Sequence, residues 1–117
     1  MSLPGDPRLE RLRADAEAGV PRAQRLLALR YLRGRGVEPD PRQALAWMER
    51  AAGAGFPLAL RSLGELHEQG VGTAADALRA RELYRAAAAA GDLIARRHLQ
   101  RLDGHAAPGT RPGGLSS

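Results

Sequence analysis

A block of about ten residues returns every 36 positions in this chain, and no other feature limits its fold as strongly. The segments DAEAGVPRAQ (15–24), AAGAGFPLAL (51–60) and AAAAGDLIAR (87–96) superpose at that interval, as do GRGVEPDPRQA (34–44) and GVGTAADALRA (70–80). A fixed period between about 20 and 50 residues marks a solenoid, in which each unit cannot bury its apolar face alone and buries it against its neighbours. Scaffolds of this kind present a surface rather than a reaction centre.

Within each unit the pattern is helical. The stretch 8–18 places Leu9, Leu12 and Ala16 on one stripe, and Gly19 can stop that helix in a left-handed conformation. Pro21 suits a helix start, and Leu27 and Tyr31 lie one turn apart on a helix from 22 to 33 that Gly34 and Gly36 end. Asp40 is a natural N-cap and Pro41 a natural first residue for a helix to about Ala54 that carries Ala44, Leu45, Trp47, Met48, Ala51 and Ala52. The second unit repeats the plan with a helix over 58–69, glycines at 70 and 72, Asp76 as cap, and a helix over 77–90 that contains Ala80. A last helix spans 92–102, giving six helices and no strand.

Small alanines at 16, 52 and 88, and again at 18, 54 and 90, are expected to let helix backbones approach. Leu27, Leu63 and Leu99 are expected to fill the space between layers, and Gly55 and Gly91 to close the longer helices as Gly19 does. Residues 1–7 form an expected flexible N-terminus, 8–103 the repeat domain, and the Gly-, Pro- and Ser-rich 104–117 a disordered tail. The domain holds two full repeats at about 20–55 and 56–91, flanked by half-repeats.

With no cysteine among 117 residues, neither a disulfide framework nor a thiolate site is available. MSLPGDPRLE lacks a stretch of signal-peptide length and no window reaches the roughly 18 apolar residues of a membrane span, so a cytoplasmic protein away from membranes is expected. All 18 basic residues are arginine, a bias that points to a GC-rich bacterial genome. The net charge of +5 and the pI near 11.1 favour anionic partners. An aromatic content of 3% offers few rings on which bases could stack, so acidic protein segments are the favoured anions and a nucleic acid or other polyanion the alternative.

The lines GRGVEPDPRQALAWMERAAGAG and GVGTAADALRARELYRAAAAAG resemble Sel1-like repeats, relatives of the tetratricopeptide repeat with a longer loop between helices. Leu27, Tyr31, Gly34, Gly36, Val37, Asp40, Ala44, Trp47, Ala51, Ala52 and Gly55 match that pattern in the first unit. Leu63, Gly64, Gly70, Gly72, Asp76, Arg79, Ala80, Ala87, Ala88 and Gly91 match it in the second, which departs at His67, Thr73 and Leu83. The resemblance covers roughly 8–102 and implies a right-handed α-α superhelix acting as a non-enzymatic adaptor between proteins, with no cofactor.

No catalytic or metal-binding constellation emerges. His67, His98 and His105 have no second ligand at metal spacing, and His67, standing where the repeat wants tyrosine, reads as a half-buried packing residue. Asp40 and Asp76 read as caps, and the glycine pairs at 34/36 and 70/72 lack the Lys-Ser/Thr of a phosphate loop. The remaining pattern is a ladder: Arg25, Arg61 and Arg97 recur at the repeat interval, turned away from the packed leucines. Arg22, Leu29, Leu32 and Arg33, then Leu58, Glu65, Glu68 and Gln69, then Ile94 and Arg101 share that face, which lines the concave groove in superhelical repeats. Such a groove suits a carboxylate-bearing peptide; the competing reading is an ordinary solvated face, which the possible Arg61–Glu65 pair supports. Leu9 and Leu12 at one end, and Leu99 and Leu102 at the other, leave narrow stripes that fit either a monomer or a weak homodimer.

Overall fold

A computed structural model describes residues 6–106, with side chains through Gly104. Its described residues form six α-helices: α1 (Pro7–Glu17), α2 (Pro21–Arg33), α3 (Pro41–Gly53), α4 (Pro57–Gln69), α5 (Ala77–Ala89) and α6 (Leu93–Ala106). The last helix continues beyond the expected stop at Leu102, taking in the first residues assigned to the tail. Residues 107–117 of that tail, and 1–5 of the expected flexible N-terminus, lie outside the described residues.

The starts follow the side chains available at the caps. Asp40 Oδ1 accepts from the Gln43 amide at 3.1 Å and Asp76 Oδ1 from the Arg79 amide at 3.0 Å, each satisfying one of the orphan donors of a helix N-terminus. α2 and α4 begin at Pro21 and Pro57 after the extended residues Val20 and Phe56, without a side-chain cap. The loop between paired helices is pinned identically in both repeats: the Asp40 amide donates to Tyr31 O at 2.9 Å and the Asp76 amide to His67 O at 2.8 Å. All seven glycines expected at turns take positive φ. At Gly72 the constraint is double, because φ is +77° and a β-carbon would stand 2.5 Å from the Pro41 carbonyl oxygen.

Each helix packs on the next, and α2 also touches α4, so the apolar contacts run along the stack. Leu9, Ala16, Ala23 and Leu27 form one buried cluster; Ala28, Ala44, Met48, Ala51, Ala52, Ala59, Leu63, Leu66 and Leu83 form the central one; Ala80, Tyr84, Ala87 and Ala95 form the third. Two packing expectations need correction. Ala18, Ala54 and Ala90 are exposed residues that follow the helices, whereas Ala16 and Ala52 are buried and Ala88 half-buried, joined in the core by Ala44, Ala51, Ala80 and Ala87. Leu9 is already buried by α2 and Leu12 half-buried against the same cluster, so that end offers a smaller apolar stripe than expected.

The departures of the second repeat from the first are mutually compensating. Leu83 stands where Trp47 stands, and the aromatic ring appears one residue later: Tyr84 occupies the position of Met48 and is fully buried. The ring needs room, and Gly64 supplies it where the first repeat has Ala28, since a β-carbon on Gly64 would sit 2.6 Å from Tyr84 Cε1. His67 is half-buried in the tyrosine position, as expected, with Nδ1 buried and unbonded.

Candidate functional site

The first helix of each unit, α2, α4 and α6, contributes one face to a common surface, and the repeat interval sets which side chains meet on it. Because neighbouring layers are offset, a side chain on one helix reaches a residue roughly one period later. Arg25 Nε of α2 donates to Ser62 Oγ of α4 at 3.1 Å. Arg61 Nε of α4 lies 3.1 Å from both carboxylate oxygens of Asp92, and its Nη1 lies 3.4 Å from Glu65 Oε2. Glu65 Oε2 is 3.0 Å from His98 Nε2, and Glu68 receives Arg101 through two contacts at 2.7 and 2.9 Å. Tyr84 Oη of α5 donates to Glu68 Oε1 at 2.7 Å, and its ring lies 4.7 Å from that of His98.

The expected arginine ladder is therefore not a row of equivalent rungs. The Arg61 side chain is only 13% exposed and belongs to an ion pair whose carboxylate, Asp92, is 6% exposed. Arg61 is committed to holding two layers together, which corrects the expectation that it faces away from the packed structure. Arg97 and Arg22 are exposed, and Arg101 is tied to Glu68. Arg25 is half-buried with only a hydroxyl as its hydrogen-bond partner. Burial first, then the Arg61 and Arg33 charges, hold its guanidinium below its ordinary value against the opposing pull of Glu65 and Asp92. Leu29 is half-buried against the central cluster, Arg33 is exposed, and Leu58 and Ile94, at corresponding positions, are 39% and 47% exposed.

Charge is distributed unevenly along this face. α2 has four arginines and no carboxylate, whereas on α4 and α6 the carboxylates Glu65, Glu68 and Asp92 answer Arg61 and Arg101. Desolvation opposes ionisation of Asp92, yet the Ala95 amide and the Arg61 guanidinium together hold its carboxyl below the usual range. Arg101, aided by the Tyr84 hydroxyl, does the same for Glu68 against the cost of its burial. Sequence reasoning missed Ser62, Asp92, His98 and Tyr84 as members of the network. A signal existed: Glu65 and His98, like Glu68 and Arg101, are 33 positions apart, close to one period.

A repeating helical stack with a cross-layer polar network defines an all-α superhelical repeat protein. The chain belongs to the Sel1 repeat family, whose pattern matches residues 21–56 and 57–92. Each matched unit begins on the proline that opens its first helix. A Sel1 repeat protein from Oxalobacter formigenes is 46% identical, with a TM-score of 0.77 over 80% of this chain and 70% of that one. The protective antigen c5321 of uropathogenic Escherichia coli strains, which displays an SLR fold, is 36% identical with a TM-score of 0.70, over 72% of this chain but 18% of that one. Helicobacter pylori cysteine rich protein B is 24% identical with a TM-score of 0.72, over 75% of this chain and 66% of that one, which is a likeness of fold. Among curated proteins, none matches the chain. Sel1 repeat proteins are generally protein-interaction scaffolds.

Proposed function

We propose that this chain is a non-enzymatic scaffold that holds an acidic segment of a partner protein against the face of α2, α4 and α6. The observation that carries the reading is Arg25: half-buried and, among the described residues, hydrogen-bonded to a neutral hydroxyl, Ser62 Oγ, with no carboxylate in direct contact. A carboxylate arriving there would offset the cost of burying the Arg25 charge and meet a guanidinium fork already partly withdrawn from water, where a charge-assisted bond is strong. Exposed Arg22 and Arg97 extend the basic surface, while Leu58 and Ile94 add apolar contact between layers. Arg61 contributes by keeping α4 and α6 in register.

The test is capture of partners from the source organism, quantified by mass spectrometry, by the wild-type chain and by a variant carrying Arg22→Glu, Arg25→Gln and Arg97→Glu. Partners bound through this face should be depleted at least about tenfold by the variant and should elute as salt rises, because partly exposed charges are screened over about 8 to 10 Å. Undiminished capture by a variant with an unchanged helical spectrum would remove this face from the function. Capture dominated by nuclease-sensitive material would instead favour a polyanion binder, consistent with the net charge of +5.

A further inference from the structure

The first helix among the described residues, α1, corresponds at the 36-residue interval to α3, the second helix of a repeat. In the following unit, α2 lies against α3 and reaches α4, burying Ala44, Met48, Ser62 and Leu66. Among the described residues no helix lies against α1 in the way α2 lies against α3. A groove of about 240 Å³ occupies that place, bounded by α1, α2 and the loop after α2.

The residues lining the groove differ from their counterparts one repeat later in a directed way. Arg8, Arg30 and Arg35 replace Ala44, Leu66 and Val71, which are apolar positions of the central core. Leu26 and Leu29 run the other way, replacing Ser62 and Glu65, while Leu12 replaces Met48. A face that only needed to be soluble would gain polar groups throughout. Here the end has gained leucines where the interior is polar, with Leu26 40% exposed, and arginines where the interior is apolar. No carboxylate lines the groove, and among the described residues none forms an ion pair with Arg8, Arg30 or Arg35.

We propose that this end groove is a docking site for an acidic amphipathic helix of a partner protein, which lies on α1 and α2 as α2 lies on α3 and α4. The apolar stripe of such a helix, at i, i+3, i+4 and i+7, meets Leu12, Leu26 and Leu29, and its flanking carboxylates meet Arg8, Arg30 and Arg35. A second copy of this chain is the wrong occupant. The helix it would offer, α6, exposes Arg96, Arg97 and Arg101, and Asp103 of that helix is held by Arg81. Nor do residues 107–117 of the chain include an aspartate or glutamate. This groove adjoins the repeat face through Leu29 and Arg33, but its docking role does not depend on the reading above.

The experiment uses the full chain and a fluorescent synthetic peptide of about four helical turns, with leucines at i, i+3 and i+7 flanked by glutamates, beside a twin in which lysines replace the glutamates. Fluorescence anisotropy should show the glutamate peptide binding at least about tenfold more tightly than the lysine twin. Arg8→Glu with Arg35→Glu should weaken that binding by at least about tenfold, as should Leu26→Asp, all at exposed positions, with circular dichroism checking the fold. Arg22→Glu with Arg97→Glu should leave it unchanged, so the end groove and the repeat face are read separately. Backbone amide shifts on binding should cluster at Leu12, Leu26 and Leu29. Equal affinity for the two peptides, no binding at all, or a loss confined to the Arg22/Arg97 variant would overturn the proposal. So would self-association of the free chain in sedimentation velocity that Arg8→Glu with Arg35→Glu abolishes, which would make a second copy the occupant.

Discussion

Arg61 and Asp92 grip one another across the boundary between the second repeat and α6, with the guanidinium Nε 3.1 Å from each carboxylate oxygen. Asp92 also caps α6 by accepting from the Ala95 amide at 2.8 Å, so one carboxylate both starts a helix and anchors it to the layer before. The corresponding positions in earlier layers are Val20 and Phe56, which have no side-chain cap. The half-repeat at the end of the stack, with fewer neighbours to pack on, is thus held by a polar device.

Asp92→Ala should remove cap and pair together and leave the largely buried Arg61 guanidinium with only its longer contact to Glu65, at 3.4 Å, among the described residues. The expected loss is about 2 to 4 kcal/mol of unfolding free energy by chemical denaturation, larger than that of Arg61→Met, which leaves Asp92 its amide partner. Amide hydrogen exchange should show the loss concentrated in α6, because the last layer of a stacked array can open by itself.

Gly64 and Gly53 make opposite predictions for the same substitution. Gly53 is exposed at the end of α3 with nothing within 4 Å of a β-carbon, so Gly53→Ala should stabilise by about 0.5 to 1 kcal/mol through helix propensity. Gly64→Ala drives a methyl into the Tyr84 ring and should destabilise by about 1 to 3 kcal/mol despite the same propensity gain. Adding Tyr84→Met to Gly64→Ala recreates the Ala28 and Met48 pair of the first repeat and should recover much of the loss, a coupling that a double-mutant cycle on thermal melts would measure. Purely additive effects would show that the two positions do not compensate.

Acid should weaken the stack through Glu68 and Asp92. Both carboxyls have folded values depressed below the ordinary ones, so their contribution is fully present above the unfolded value near 4 and is lost as pH falls through the folded value. Unfolding free energy should therefore drop as pH falls below about 4, and a Glu68→Gln, Asp92→Asn variant should show a shallower slope there. Equal slopes would mean that these two pairs do not couple folding to protons.

The period, the caps and the turn residues were legible in the sequence because each depends on local chemistry. Asp40 and Asp76 bond amides three residues away, and the seven turn glycines adopt backbone angles that other residues resist. A 36-residue echo then implies stacking, since identical units must bury identical faces against one another. What the chain alone could not say was the offset between layers. Helical periodicity places Arg25, Arg61 and Arg97 on one face of their helices, but only the packed offset puts a hydroxyl beside Arg25 and a buried carboxylate beside Arg61, and leaves Arg97 exposed. Likewise Leu26 and Arg30 look like ordinary helix residues until the packing of α2 on α1 makes them walls of a groove. Local pattern fixes which way a side chain points along its own helix; which neighbour it meets depends on how whole helices settle against each other, and that was decided by the tertiary structure.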